Sequence, residues 1–319
     1  MSGSRRVGIA AITGASLLWG TTGTAATFAP GAGPLAIGAA ALGIGGLLQA
    51  VIAVPALRAA APALRANRRA VVVGSLAVAI YPLAFYSSMH LSGVAIGSVV
   101  SLASAPLASG LLERFVDRRR LSRWWMLAAT LGILGSLLLC LSKLDGPAAS
   151  AGGTVAGIGL GLVAGASYAV YSWAAHGLMS RGVGRSASMG AVFGGGGILL
   201  LPVLVATGAP LIASPQAFAV AGYMALIPMF LGYVLFGLGL ARVSASTATT
   251  VTLTEPAVAT VLAVLIVGEQ LTSVGWAGLA VIAGVLVILA AAPATSARAR
   301  GGAGGLEPAS GALSAPGMF

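Results

Sequence analysis

From Val7 to Leu57 the chain carries no Asp, Glu, Lys or Arg. The same holds for 70–112, 124–142, 146–180, 186–241 and 270–297, and for 243–254 and 256–268, which only Glu255 separates. A water-soluble fold carries roughly a quarter of its residues as charges; here the share is 7%. The solvent for most of the surface is therefore hydrocarbon. A helical span takes about 20 apolar residues, so the longest runs supply two spans each. Turn signals divide them at 29–34 (APGAGP), near Ser92-Gly93 and at 207–215. Ten spans follow, near 7–27, 34–56, 70–91, 93–113, 124–142, 154–178, 187–206, 217–240, 244–267 and 274–292. Backbone groups in lipid must be satisfied within the segment, and continuous apolar runs suit helices better than the alternating strands of a barrel. The expected fold is an all-α integral membrane protein with ten transmembrane helices.

The formal net charge of +11 is a topology signal rather than a nucleic-acid signal. With the N-terminus in the cytoplasm, inside segments hold all the arginines, from Arg5 and Arg6 to Arg298 and Arg300, and outside segments hold only Lys143. That asymmetry places both termini in the cytoplasm of a bacterial inner (plasma) membrane, with anionic headgroups as natural neighbours. Cys140, the single cysteine, cannot form an intramolecular disulfide. No metal-ligand cluster, phosphate loop or cofactor motif is present, so no metal and no cofactor are expected. A cleaved signal peptide over 1–29 is the competing reading of the first span.

The chain also resembles itself. Gly14-Ala15-Ser16 recurs as Gly165-Ala166-Ser167. Residues 85–106 and 235–256 share one design: an aromatic-containing helix end, a short link, a small-residue helix, then Pro106 or Pro256. Leu121-Ser122 and Leu271-Thr272 follow those prolines at the same interval. All offsets agree, so five spans are repeated, and an odd number makes the second copy enter the membrane from the opposite side. The organisation expected is a cytoplasmic N-terminus (1–6), a first five-helix repeat (7–142), an outer linker (143–153), a second, inverted repeat (154–292) and a disordered tail (293–319). Many secondary transporters use this arrangement.

Leu18-Trp19-Gly20, Glu255-Pro256 and Gly268-Glu269-Gln270-Leu271-Thr272, followed by the helix from Trp276, resemble EamA-type proteins of the drug/metabolite transporter superfamily. The resemblance covers roughly 7–292. It implies ten helices, a cavity between the halves and transport of small metabolites, often amino-acid export. The first half departs from the pattern, with Ala105 and Arg119 where the second has Glu255 and Glu269.

Span 9 carries Ser246, Thr247, Thr249, Thr250, Thr252, Thr254 and Glu255 on every side of the helix. Such a helix must be enclosed by protein or water. Pro256 withdraws the amide that would bond the Thr252 carbonyl. An acidic residue at the bilayer centre costs about 2.5–3.5 kcal/mol, so Glu255 needs a reason. It is a coupled proton or cation site, a contact for a substrate amine, or a structural hydrogen-bonding group. Trp19 and Tyr81 sit near mid-depth, where an N–H or O–H needs a partner. With Tyr86, Tyr168, Trp173 and Thr252 they are the candidate substrate-binding residues, offering π faces to apolar, aromatic or ammonium groups. His90 joins Glu255 as a candidate coupling or polar-core residue. Gln49 reads as a helix-to-helix hydrogen bond, Gly157, Gly161 and Gly165 as a close-packing stripe, Gly194 to Gly197 as a thin, flexible helix segment, and Glu113 and Asp117 as ion-pair partners of nearby arginines.

No Lys or Arg lies well inside a span, so phosphorylated substrates are disfavoured and a neutral, zwitterionic or cationic one fits. The reading is a secondary transporter of small metabolites, an amino-acid exporter first. The alternatives are a drug or quaternary-amine exporter and a passive metabolite channel. An enzyme would need a clustered nucleophile, ligand set or acid pair, which one Glu and two distant His do not supply.

Overall fold

The computed structural model describes residues 2–26, 28–29, 31–141, 151–262, 264–265 and 272–291. Residues 143–150 of the expected linker (143–153), residues 268–271 of the Gly268 to Thr272 motif and the tail (293–319) lie outside the described residues; residues 151–153 of that linker begin a helix instead. The described chain is helical: α1 (Ser2–Trp19), α2 (Pro34–Ile52), α3 (Arg68–Ser92), α4 (Val94–Leu111, continued by a π turn at Leu112–Val116), α5 (Arg123–Leu141), α6 (Ala151–Ser180), α7 (Arg185–Thr207), α8 (Pro215–Leu240), α9 (Ala245–Val251), α10 (Thr254–Leu262) and α11 (Ser273–Ala291). Among the described residues, α2 to α8 and α11 are long and apolar enough to cross a membrane. They fall where eight spans were expected. α1 occupies the position of the first span, and the pair α9–α10 that of the ninth.

Local chemistry sets the boundaries. Ser214 and Ser244 cap α8 and α9 by accepting from the amides of Ala217 and Thr247. α6 stops at Gly182, whose φ of 86° suits a residue without Cβ; the amides of Gly182 and Val183 then bond back to Met179 and Leu178.

Helices before residue 142 pack on helices after residue 150. α6 lies on α3 and α4, α7 on α3 and α2, α8 on α1, and α11 on α5. In lipid these seams gain nothing from the hydrophobic effect and depend on close backbone approach. The expected stripe on α6 does this work. A Cβ on Gly161 would stand 2.9 Å from Val100, and one on Gly165 2.5 Å from the Ser101 carbonyl. Ser88 Oγ donates to the Gly157 carbonyl (2.7 Å) across the same seam.

The glycines at 194–197 lie inside one continuous helix, α7, as the thin helix segment expected there. A Cβ on Gly197 would meet the Gly43 carbonyl at 2.7 Å. Their small size lets α7 seat against α2. Away from the seams, large apolar side chains such as Val155, Val205 and Val287 are exposed, as hydrocarbon solvent permits.

Candidate functional site

The ninth span is broken. α9 ends at Val251, Thr252 and Leu253 form a turn, and α10 restarts at Thr254. Pro256 has no amide for the Thr252 carbonyl, and the Glu255 amide takes that carbonyl instead, at 3.0 Å. The hydroxyls of Thr250, Thr252 and Thr254 donate back to the carbonyls of Ser246, Thr249 and Val251. Irregular backbone inside a membrane is tolerated where such groups satisfy it. α4 carries Pro106 at the matching place yet stays helical throughout.

The turn delivers Glu255 into a cluster of rings. Trp19 lies 4.8 Å from Tyr233 and 5.5 Å from Phe236, centroid to centroid. Tyr81 stacks on Phe85 (5.5 Å) and contacts Tyr168 (5.4 Å). Four polar tips have partners. Trp19 Nε1 donates to the Pro228 carbonyl (2.8 Å), Tyr168 Oη donates to Thr252 Oγ1 (3.1 Å), and the hydroxyls of Tyr171 and Tyr233 pair at 2.8 Å. The Pro228 carbonyl belongs to a π-helical stretch of α8, Ala225–Leu231. Gln49 Nε2 reaches the Phe230 carbonyl of the same stretch (2.8 Å), the helix-to-helix bond expected of that amide.

Between these groups lies a closed cavity of ≈ 10 Å³, lined by Trp19, Thr22, Tyr81, Phe85, Tyr86, Tyr233 and Glu255, among others. That is the threshold for one water, too little room for a larger solute. Glu255 is buried, and its carboxylate has no compensating cation or donor among the described residues. The Tyr86 hydroxyl is buried and unpartnered among the described residues; Thr22 and Glu255 are the polar groups facing it.

The candidates from sequence divide accordingly. Trp19, Tyr81, Tyr86 and Glu255 share the cavity wall. Tyr168 and Thr252 form the layer behind it. Trp173 and His90 lie elsewhere. Trp173 Nε1 donates to Asp117 Oδ2 (3.0 Å) at the end of the bundle, and His90 is exposed near the end of α3. Tyr233, Phe85, Thr22 and Met229 line the cavity without having been singled out.

The acidic pair at the other end of α4 corrects an expectation. Instead of pairing with neighbouring arginines, Glu113 is buried and accepts from the Ser246 amide and hydroxyl, both at 2.8 Å. It caps α9 from across the seam. Asp117 serves Trp173.

Chemically, one carboxylate walled by π faces can hold a positively charged or proton-bearing group. The comparisons agree with a transporter. The model of the EamA-like transporter family matches twice, over residues 6–141 and 155–290. "Uncharacterized transporter YwfM" of Bacillus subtilis (strain 168) is 34% identical over 284 residues, covering 88% of this chain and 92% of that protein. One solved crystal structure shares the fold with a TM-score of 0.71 at 19% identity, over 90% of this chain and 96% of that one. The chain is a multi-pass membrane protein that belongs to the EamA-like transporter family, within the drug/metabolite transporter superfamily.

Proposed function

We propose that the protein is an inner-membrane secondary transporter of ten helices, two inverted five-helix units with both termini cytoplasmic. It exports small amine-bearing metabolites, amino acids first, by alternating access through the seam between the units. One observation carries this reading: among the described residues Glu255 is the only carboxylate or cationic side chain in the wall of the central cavity, and five aromatic rings line that wall with it. A desolvated carboxylate among π faces suits an ammonium group.

The route is supported by hollows spaced along α1. One at its start is lined by Ser4 and Arg5, the closed cavity lies beside Trp19, and an apolar groove of ≈ 510 Å³ is lined by Thr21, Thr24 and Phe28. From Arg5 to Trp19 the helix rises about 21 Å, so these openings lie on opposite sides of the cavity. A closed centre between two openings fits a carrier and opposes a standing channel.

A second reading, a drug or quaternary-amine exporter, is favoured by the same wall. It holds no cation for an α-carboxylate, and its rings suit a bulky cation. Counterflow in proteoliposomes tests both, with a panel of radiolabelled amino acids alongside tetraethylammonium. Saturable, trans-stimulated amino-acid exchange supports the first reading, and exchange of tetraethylammonium alone supports the second. Flux without saturation or trans-stimulation overturns the carrier.

A further inference from the structure

A charged hollow lies away from Glu255, at the opening where α1 starts, and its arginines have no role in the function proposed above. It encloses ≈ 430 Å³ at the arginine-rich end of the bundle, where α1, the 119–122 loop, the start of α5 and the 242–247 loop meet. That volume lies within the range of about 300–1,000 Å³ typical of small-molecule sites. Both halves of the chain contribute to it.

Four arginines line it, Arg5, Arg119, Arg120 and Arg242. Burial pushes the Arg5 guanidinium below its ordinary pKa. Arg242 Nη1 donates to the Leu238 carbonyl (2.6 Å), which fixes that side chain at the rim. The loop holding Arg119 and Arg120 is a built feature. Arg118 takes a φ of 54°, a region L-residues seldom occupy, and the Arg119 amide bonds the Glu113 carbonyl at 2.9 Å.

One carboxylate, Glu113, also lines it. Both its oxygens already accept from Ser246, so its charge is spread into the α9 cap. Arg119, Arg120 and Arg242 against that one carboxylate leave the hollow positive. Two further features favour an anion. Ser122 starts the 19-residue helix α5 at the wall, so a helix N-terminus opens there. Trp125 also lines the hollow, is buried, and has an indole N–H with no acceptor among the described residues.

We infer that this hollow binds a phosphate group, delivered by an anionic phospholipid headgroup at the membrane surface. Arginine forks match phosphate oxygens in pairs, and Trp124 and Trp125 supply the amphipathic surface that lipid headgroups border. Because the wall comes from both halves, an occupied site clamps them at this end, so the lipid also biases the opening of the seam.

The test uses the purified full-length protein in uncharged detergent. Tryptophan emission is titrated with short-chain phosphatidylglycerol, short-chain phosphatidylcholine and inorganic phosphate. The expected result is saturation by phosphatidylglycerol alone, with apparent affinity about tenfold weaker in Arg119→Gln/Arg120→Gln. Both side chains are exposed, and Arg120→Gln alone gives a smaller loss should the pair fail to fold. Arg58→Gln/Arg65→Gln, outside the hollow, leaves the titration unchanged. Saturation by inorganic phosphate with the same loss in the double variant keeps the anion site and assigns it a soluble phosphate ester. The inference fails if phosphatidylcholine titrates like phosphatidylglycerol, if neither anion saturates, or if the Arg58/Arg65 variant weakens binding as much as the Arg119/Arg120 variant.

Discussion

Replacing Glu255 with Gln exchanges one oxygen for an amide nitrogen and removes a charge from a nearly sealed wall. Two consequences of opposite sign follow. An acidic group at this depth costs about 2.5–3.5 kcal/mol on insertion scales, and no described residue compensates it. Glu255→Gln is therefore expected to unfold in detergent at or above the temperature of the parent protein. A substrate ammonium loses its charged partner, and a hydrogen bond to a charged group is worth about 1.5–3 kcal/mol. At about 1.4 kcal/mol per factor of ten, half-saturation for an amine in counterflow should rise roughly 10- to 150-fold. The same vesicles, assayed with and without a pH gradient, separate proton coupling from substrate binding. If the carboxylate carries the coupled proton, Gln abolishes the gradient response while exchange continues. A variant that unfolds earlier and binds amines like the parent would falsify this reasoning, and Glu255 would be a structural clamp.

Other outcomes follow from single contacts. Tyr86→Phe removes an unpartnered hydroxyl, so thermal stability holds or rises by up to about 1–3 kcal/mol, while affinity for a substrate that uses that hydroxyl falls. Trp19→Phe keeps a ring but strips the donor from the Pro228 carbonyl, which should cost about 1–3 kcal/mol in reversible unfolding. Gly165→Ala drives a Cβ to 2.5 Å from the Ser101 carbonyl; the α4–α6 seam should loosen by about 1–3 kcal/mol, read as a lower unfolding temperature. Gly159→Ala, where a Cβ meets nothing within 4 Å, is the matched control.

The spans were legible because lipid imposes a one-dimensional rule: a run of apolar residues of bilayer length is a helix wherever it packs. The break at Thr252 was half legible, since Pro256 marks it. Pro106 carries the same mark and leaves α4 unbroken, so proline alone does not decide. Which aromatics meet was much less legible. Tyr168 and Trp173 are five residues apart, which turns them about 140° from each other on one helix. One faces the rings and the other faces Asp117. Tyr233 entered the wall from a helix more than 60 positions away in sequence from Tyr171, with which it pairs, and no local pattern reports that. Glu113 shows the same limit. Its sequence neighbours are arginines, but its partner Ser246 lies 133 positions on.

The bond from Trp19 to the Pro228 carbonyl ties a ring of the wall to the backbone of another helix at its least regular place. A π-helical stretch with a proline is a natural pivot, and here the pivot is latched by an indole. If α8 flexes at Pro228, it must either drag Trp19 with it or release it. Any solute that displaces that indole therefore loosens the joint, so occupancy and mobility are mechanically geared to each other through a single proton.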